Sequence, residues 1–156
     1  MNTSAGFIVF RVRRGVLELL LGHMGGPYWA RKDEGAWSIP KGELDEGEDP
    51  LAGARREFEE ELGHPPPGGP VIELGAIRQR AGKQVIAFAA EGDFEPSQLT
   101  PGTFELEWPP RSGRRETFPE VDRVAWFDLP IAGRKVVRGQ VALLDRLAQQ
   151  LSDRES

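Results

Sequence analysis

The sequence predicts an α+β domain in which helices pack on a mixed β-sheet. The predicted elements run in the order of strands, one helix, more strands and one terminal helix. Apolar residues alternate with polar ones in the strand segments and recur every three or four residues in the helices. With 156 residues, 38% hydrophobic and 29% charged, the chain has the size and composition of one globular domain. We therefore expect residues 1–156 to form a single domain.

The first two predicted strands form an antiparallel pair near the N-terminus. Apolar and polar residues alternate through SAGFIVFRVR and again through GVLELLLGH, and the turn-like RRG joins the two segments. The next segment, MGGPYWARKDEGAW, is rich in glycine and charge, which predicts a loop longer than a plain connection needs. Long loops often carry functional residues.

The clearest helix is predicted from Pro50 to Leu62. Asp49 is a suitable N-cap, Pro50 suits the first helical position, and Gly63 suits the C-terminal stop. Four apolar residues recur at spacings of three and four and give the helix one stripe to bury: Leu51, Ala54, Phe58 and Leu62.

The second half of the chain predicts three further strands and a terminal helix. HPPPGGP excludes regular structure after the first helix. VIELGAIRQR and KQVIAFAAEGDF predict strands on either side of AG, and RVAWFDL predicts another. Residues 95–120 between them predict mostly loop, with a candidate short strand at 104–108. VALLDRLAQQL predicts an amphipathic helix that closes the chain.

The composition excludes several kinds of site. Without cysteine the chain has no disulfide, no thiolate zinc site and no cysteine nucleophile. His23 and His64 are the two imidazole groups, which gives poor support to a Ser/His/Asp triad or a multi-histidine metal site. Both histidines are more readily interpreted as structural or exposed than as catalytic. A bound metal is therefore expected to have oxygen ligands, which favours magnesium, calcium or manganese.

The charge and hydropathy pattern narrows the partners and the location. A net charge of −5 argues against broad electrostatic attraction to nucleic acid or anionic membranes. No segment approaches the roughly 18 consecutive apolar residues of a membrane span. The first 15 residues lack the pattern of a signal peptide, because arginines interrupt their apolar stretch. We expect a cytoplasmic protein; its oligomeric state stays open.

The stretch RREFEEELG places an unusual number of carboxylates on the first predicted helix. Glu57, Glu60 and Glu61 stand at i, i+3 and i+4 and share one face, whereas Glu59 points elsewhere. Carboxylates about 6 Å apart repel each other by a few kcal/mol per pair at an effective dielectric near 20. A divalent cation would remove that repulsion. The alternative is a solvated acidic face.

A family resemblance begins at Gly42 and ends at His64. This stretch resembles the Nudix box, the signature of hydrolases that act on a nucleoside diphosphate linked to another moiety. The chain departs from the box twice, because Phe58 and His64 stand where aliphatic residues are usual. The preceding WSIPKG is also similar to this family. Eight residues match the spacing of the box: Gly42, Glu48, Arg56, Glu57, Phe58 as the bulky residue, Glu60, Glu61 and Gly63.

The resemblance implies an α/β/α sandwich with a mixed β-sheet and a strand-loop-helix catalytic motif. It also implies Mg²⁺, or alternatively Mn²⁺, with water attacking a phosphorus. The implied metal ligands are Glu57, Glu60, Glu61 and the carbonyl of Gly42. Arg56 would orient Glu57, with Glu48 bracing the guanidinium. The alternatives are an ordinary helix ion pair for Arg56 and a simple turn glycine at Gly42.

The resemblance also implies a further carboxylate outside the box. Glu120, just before the strand that bears Trp126, is preferred over Glu107 in FELEW. Either Glu57 or such a downstream carboxylate would be the base that deprotonates water.

Several other residues are candidates for substrate binding. Lys41 contacts a phosphate or is an ordinary solvent lysine. The RSGRR segment, with Arg111, Arg114 and Arg115, clamps distal phosphates or forms a polar hairpin. One tryptophan stacks on a base, although a buried structural role is commoner; the four are Trp29, Trp37, Trp108 and Trp126.

The resemblance predicts a Mg²⁺-dependent pyrophosphohydrolase whose partner is a small-molecule nucleotide. Its substrate would be a nucleoside triphosphate, normal or oxidised, or a dinucleoside polyphosphate. Capped RNA is disfavoured by the acidic charge. The alternatives are a Nudix-fold module that binds a nucleotide without hydrolysing it, and a structural protein whose acidic helix is a partner interface.

Overall fold

The computed structural model describes residues 2–79 and 82–155. The strands in this part of the chain are β1 (Thr3–Arg13), β2 (Val16–Met24), β3 (Trp37–Ser38), β4 (Lys41–Glu43), β5 (Ile72–Arg78), β6 (Gln84–Glu91), β7 (Thr103–Glu107), β8 (Arg115–Pro119) and β9 (Val121–Asp128). The helices are α1 (Pro50–Leu62), α2 (Leu129–Lys135) and α3 (Val141–Glu155), with 3-10 turns at Pro96–Gln98 and Arg138–Gln140.

The main sheet is mixed, as predicted. Its strands follow the order β3-β2-β1-β6-β5, while β4 also pairs with β1 and β9 with β2. The β1–β6 pair is parallel and the other pairs are antiparallel. Strand β1 is shared along its length, because its start pairs with β4 and its end pairs with β2. The β4 strand, which contains Gly42, is thereby fixed to the centre of the sheet.

Helices cover both faces of this sheet. Along β1 the buried side chains alternate, so that Phe7 and Val9 contact the α1 side and Ile8 and Phe10 contact the α3 side. Each side has its own apolar cluster, one containing Phe58 and the other containing residues of α3 such as Leu147. The result is the α/β/α sandwich that the resemblance implies, and the α+β prediction is confirmed.

Helix α1 has the predicted bounds and caps. The Asp49 carboxylate accepts a hydrogen bond from the Ala52 amide at 3.0 Å. Gly63 has φ 82°, which favours glycine, and ends the helix. Phe58 is fully buried, and its ring meets Phe7 edge-on at 6.0 Å. An aromatic residue therefore fills the core position where the family box usually has an aliphatic one.

The second box departure, His64, also has a structural contact. Its ring meets Phe94 edge-on at 5.7 Å, and its Nε2 lies 2.8 Å from the carbonyl oxygen of Gln98. The imidazole therefore joins the end of α1 to the segment after β6.

The structure differs from the predicted elements in four places. The predictions missed β4, β8 and α2, and they placed β3 inside a loop. These elements are short, and residues of β8 lie exposed, so no regular apolar pattern marks them. Residues 95–120, predicted as mostly loop, contain the β7–β8 hairpin, and β7 confirms the candidate strand. The predicted strand ending at Arg80 and the AG turn extend outside the described residues.

Candidate active site

The guanidinium of Arg56 forms hydrogen bonds with carboxylates of the loop before α1 and of α1 itself. It donates two hydrogen bonds to Glu48, at 2.8 and 2.9 Å, one to Glu57 at 2.8 Å and one to Glu60 at 3.2 Å. It also donates to the carbonyl of Glu43 in β4 at 3.1 Å. Mainly because of the hydrogen bonds from Arg56, the pKa of Glu48 falls to about 2. Arg56 thus ties the helix to β4.

Gly42 leaves the space in which the Glu57 carboxylate lies. A Cβ at residue 42 would be 2.0 Å from Oε2 of Glu57, which no side chain allows. The register of β4, with Gly42 opposite Ala5 of β1, fixes the glycine there. The Glu57 carboxylate, with its side chain 13% exposed, therefore lies against the backbone of β4.

The Glu61 carboxylate lies deeper than the other two on this face. Its Oε2 accepts a hydrogen bond from the main-chain amide of Lys41 at 3.2 Å. The pKa of Glu61 is raised to about 8, chiefly by burial; the charges of Glu120 and Glu57 act in the same direction, and Lys41 acts against them. Lys41 is thus close enough to the carboxylates for its charge to act on them.

Main-chain hydrogen bonds through Gly102 connect Glu120 to α1, the helix that bears the other carboxylates. The Glu120 amide donates to the Gly102 carbonyl at 2.8 Å, and the Gly102 amide donates to the Glu60 carbonyl at 3.1 Å. Partial desolvation raises the pKa of Glu120, and the charge of Glu60 adds to this. Glu107 lies elsewhere, in β7, where its carboxylate accepts from the Arg111 amide at 3.0 Å. The structure thus brings Glu120, and not Glu107, to the box.

Together these carboxylates carry more negative charge than the positive groups beside them can balance. Burial raises the pKa of Glu57, and the charges of Glu60 and Glu120 act in the same direction against Arg56. In residues 2–79 and 82–155 no three acidic or histidine side chains converge closely enough to hold a metal as they stand. Arg56 and the Lys41 amide engage these carboxylates instead. An all-oxygen set with uncompensated negative charge nevertheless fits a hard divalent cation by its chemistry.

The arginines of RSGRR lie away from this group, at the far end of the β7–β8 hairpin. Arg111 has φ 62° in the turn, and Arg115 of β8 lies opposite Glu107. Arg114 precedes β8 and its carbonyl accepts from the Trp108 amide at 2.9 Å. Trp108 lies six residue steps along the chain from Gly102 at the base of the hairpin, which is at most about 20 Å of extended chain.

The four tryptophans have different environments. Trp37 is buried and Trp126 is half-buried, and their indole N–H groups donate to Asp33 and to the Phe94 carbonyl. Lys32 lies over the ring of Trp29 at 5.2 Å. Trp108 meets Tyr28 edge-on at 5.3 Å, and Tyr28 is 57% exposed. The Tyr28–Trp108 pair therefore presents a large exposed ring, that of Tyr28.

A large cavity lies outside the carboxylate group. It has a volume of about 920 Å³ and is lined partly by Arg11, Phe94 and Trp126. Arg11 already contacts Glu18, Asp93 and the face of Trp126. Its charge is thereby engaged within the fold.

Sequence reasoning missed the residues that connect distant segments to this site. Gly102 links Glu60 to Glu120, and Tyr28 faces Trp108, but neither residue belongs to a recognisable motif. The glycine-rich composition of the loop after β2 was the available signal for Tyr28. His23, which the sequence predicts to be structural or exposed, is fully buried.

The NUDIX domain family model matches residues 2–142. A comparison with curated proteins found no matching sequence. No helix in the described part of the chain is long and apolar enough to cross a membrane.

Several solved structures share the fold. An Ap4A hydrolase from C. elegans, in a binary complex, is 20% identical with a TM-score of 0.64, covering 98% of this chain and 99% of that one. A mutT/nudix family protein from Listeria innocua is 19% identical with a TM-score of 0.64, covering 98% and 95%. The NUDIX domain of Shewanella oneidensis NrtR, complexed with ADP ribose, is 16% identical with a TM-score of 0.63, covering 96% and 87%.

The family model spans most of the chain, and it includes the box and Glu120. Together with the sandwich fold, this match identifies the protein: the chain belongs to the NUDIX domain family.

Proposed function

We propose that this protein is a Mg²⁺-dependent pyrophosphohydrolase, with Mn²⁺ as an alternative ion, that cleaves the pyrophosphate linkage of a nucleoside diphosphate derivative by water attack on phosphorus. The observation that carries the proposal is that the charges of Glu57, Glu60, Glu61 and Glu120 act on one another, and that Arg56 and Lys41 do not balance their combined charge. A divalent cation, when bound, neutralises the charge of a pyrophosphate and activates water. The carboxylates, with the Gly42 carbonyl, are the proposed ligand set for that ion.

The protein residues would have separate roles. Arg56 holds Glu57 and Glu60 in place through hydrogen bonds of 2.8 and 3.2 Å. Burial and neighbouring charge raise the pKa of Glu57 and of Glu120, and this suits a carboxylate that accepts a proton from water near neutral pH. Lys41, whose charge acts on Glu61, would contact a phosphate oxygen.

We favour a dinucleoside polyphosphate over a nucleoside triphosphate as the substrate. The β7–β8 hairpin begins at Gly102 and ends beside Glu120, and its half-buried residues include Phe104, Leu106 and Trp108, of which Trp108 meets Tyr28 edge-on. A base stacked on the Tyr28–Trp108 pair, with the arginines beyond it, would require a ligand that extends from the carboxylates along the hairpin. The C. elegans neighbour is an Ap4A hydrolase, which agrees with this choice.

A substrate panel tests the proposal. Nucleoside triphosphates and dinucleoside polyphosphates would be incubated with Mg²⁺, and the products would be identified to locate the broken bond. Turnover should need the divalent ion, and Glu60→Gln should reduce kcat at least about 100-fold because a charged contact is lost where charge develops. The matched control is Glu59→Gln, which alters an exposed carboxylate one residue away on another face.

Two results would overturn the proposal. Unchanged turnover in Glu60→Gln would contradict the site. Binding of a nucleotide without metal-dependent turnover would indicate a sensor module instead. Thermal melting with increasing Mg²⁺ distinguishes an enzyme or a sensor module from a purely structural protein, because an ion bound only by the folded protein must raise Tm.

A further inference from the structure

The cavity beside Trp126 has a lining that contains none of the candidate catalytic residues. Its volume of about 920 Å³ is large enough for a small organic molecule. Its walls are residues 11–13 of β1, residues 91–96 and Trp126 of β9. Val124, which lies between Glu120 and Trp126 on β9, is buried in the apolar cluster that contains Phe58. Packed core therefore separates the cavity from the carboxylates of the candidate active site.

The walls of this cavity are held in place by the fold. The indole N–H of Trp126 donates to the carbonyl oxygen of Phe94 at 3.0 Å, which fixes the orientation of the ring. Phe94 itself meets Phe58 of α1 edge-on at 6.3 Å. The Gly92 amide donates to the Phe10 carbonyl at 2.9 Å and attaches the segment after β6 to β1. The cavity is therefore pre-formed, as small-molecule sites usually are.

The guanidinium of Arg11 lies over the Trp126 ring, 3.9 Å from the ring centre. Its Nε donates to the Glu18 carboxylate at 2.8 Å, and its Nη1 donates to Asp93 at 2.9 Å. An aromatic face and two carboxylates thus fix one planar group. Since Arg11 also lines the cavity, the cavity contains a cation whose orientation is set in advance.

Arg11 has more hydrogen-bond donors than its partners use. A guanidinium has five N–H groups, and the contacts with Glu18 and Asp93 use two of them. The other N–H groups, on Nη1 and Nη2, have no acceptor within the described part of the chain. The Arg11 side chain is only 18% exposed. A molecule in the cavity that carries acceptors can therefore satisfy donors that the fold leaves unpaired.

The charges around the cavity favour an uncharged ligand. The lining and Glu18 together contain two cations and four carboxylates, namely Arg11, Arg13, Glu18, Glu91, Asp93 and Glu95. Because negative charge is in excess, a phosphate group at this place would be repelled. A neutral ligand that accepts hydrogen bonds from Arg11 meets no such repulsion.

A nucleobase is a ligand of this kind. Bases are planar and uncharged, and proteins bind them next to aromatic rings and guanidinium groups. Guanine has two neighbouring acceptors, O6 and N7, which a guanidinium binds through two N–H groups at once. Adenine has one acceptor on that edge, beside an amino group that donates. The unpaired donors of Arg11 therefore favour guanine, whose own N–H groups can donate to the carboxylates of the rim.

We propose that the cavity beside Trp126 is a second ligand site that binds the guanine base of a nucleoside, with O6 and N7 accepting hydrogen bonds from Arg11. The bound nucleoside is a separate molecule from the substrate, because packed core divides the cavity from the carboxylates. This site goes beyond the proposed hydrolysis and does not depend on it.

Nuclear magnetic resonance of the tryptophan indoles tests the site without reference to activity. The metal-free protein labelled with ¹⁵N has four tryptophans, and Trp126→Phe identifies the Trp126 signal. Guanosine should shift this signal saturably. The matched ligand is 7-deazaguanosine, which lacks N7 and should bind about tenfold more weakly because one of the paired hydrogen bonds is lost. No shift with guanosine, or equal affinity for the two ligands, would overturn the proposal.

A conservative substitution tests the role of Arg11. Arg11→Lys keeps the positive charge next to Glu18 and Asp93 but loses the planar pair of donors. Guanosine should bind about tenfold more weakly, and its advantage over 7-deazaguanosine should disappear. The matched control is Arg14→Lys, an exposed residue of the turn between β1 and β2, which should bind both ligands as the native chain does. A preference retained in Arg11→Lys would refute the assignment, and the two ligands decide it on the native chain if this variant does not fold.

Competition with substrate distinguishes a separate nucleoside from the base of a substrate. Guanosine that saturates the Trp126 signal should leave the KM for a diadenosine polyphosphate unchanged. A competitive rise in KM that follows the occupancy of the cavity, and that disappears in Arg11→Lys, would show that the cavity belongs to the substrate site and would overturn the separation. If no nucleotide is turned over, the proposed function fails, and the Trp126 signal still decides this inference.

Discussion

Gly42 and Glu57 illustrate how the site depends on single atoms. The Glu57 carboxylate lies where the smallest side chain at residue 42 would place its Cβ, 2.0 Å from Oε2. Arg56 holds the same carboxylate from the other side at 2.8 Å. The glutamate is therefore enclosed between a backbone and a guanidinium, and its position depends on both.

Gly42→Ala should displace Glu57 and reduce activity sharply. A misplacement of about 1 Å in a catalytic group lowers the rate by about 100-fold, and we expect a loss of this size in kcat. Steady-state kinetics of the purified variant would measure it. Gly68→Ala is the matched control, since nothing lies within 4 Å of its added methyl group. Native kcat in Gly42→Ala would show that Glu57 can act from another position.

Glu48 should make the fold sensitive to acid. Its pKa in the folded protein is about 2, lowered from an ordinary value of 4.5 chiefly by Arg56, so its contribution to stability is present above pH 4.5. That contribution is lost as the pH falls toward 2. Glu48→Gln should lower Tm at neutral pH and weaken its fall over this range. The control is the exposed Glu59→Gln, and equal pH profiles for Glu48→Gln and the native protein would contradict the expectation.

At the level of elements, α1 and the β7–β8 hairpin meet at the site by different means. Helix α1 is anchored by buried residues such as Phe58 and presents its carboxylates on the adjacent face. The hairpin is outside the main sheet and is attached at its base, through Gly102 and Glu120. In the proposed function, the helix would supply the metal ligands and the hairpin a surface along which a substrate would extend.

Trp108→Ala should weaken substrate binding more than it slows the reaction. Stacking of a base on an aromatic ring contributes about 1 to 3 kcal/mol, so KM should rise about tenfold or more with a smaller change in kcat. The matched control is Glu105→Ala, on the opposite face of β7. An increase in KM for a dinucleoside polyphosphate, without one for a triphosphate, would support the longer substrate; no increase for either would remove Trp108 from the binding surface.

At the level of the whole molecule, one buried side-chain amide, that of Gln140, connects the turn before α3 to the segment that leads into the strand-loop-helix motif. Gln140, in the turn before α3, is fully buried, and its oxygen accepts from the Ile39 amide at 2.9 Å. Its side-chain nitrogen donates to the Ser38 hydroxyl at 3.0 Å. The lead-in to Gly42 is therefore held from the opposite face of the sheet.

Gln140→Ala should destabilise the fold although it touches none of the candidate catalytic residues. A buried amide left without its partner and a small cavity together cost about 3 kcal/mol. This corresponds to a decrease in Tm of about 6 to 12 °C for a chain of this length. Calorimetry would measure the change, and Gln149→Ala on the exposed side of α3 is the control. A Tm within one or two degrees of native would show that water replaces the lost contacts.

The local sequence pattern was sufficient to predict helix α1. The caps at Asp49 and Gly63, the apolar stripe through Phe58 and the shared face of Glu57, Glu60 and Glu61 all depend on neighbouring residues and on helix geometry. The pattern failed at β8 and α2, where short elements with mixed exposure carry little periodicity. Their places are decided by what they pack against.

The sequence by itself determined the α+β class and the helix with its carboxylates, because these follow from the spacing of nearby residues, and the resemblance of its box to the Nudix signature implied the family and the α/β/α sandwich. Only the tertiary structure decided that Glu120 meets Glu60 through Gly102, and that His23 joins Asp122 to Lys32. These contacts connect residues far apart along the chain, and the sheet register and the bulge in β9 bring them together. The spacing of neighbouring residues carries no information about such contacts. The sequence could not predict them because long-range packing, and not helix or strand periodicity, assembles the second half of the site.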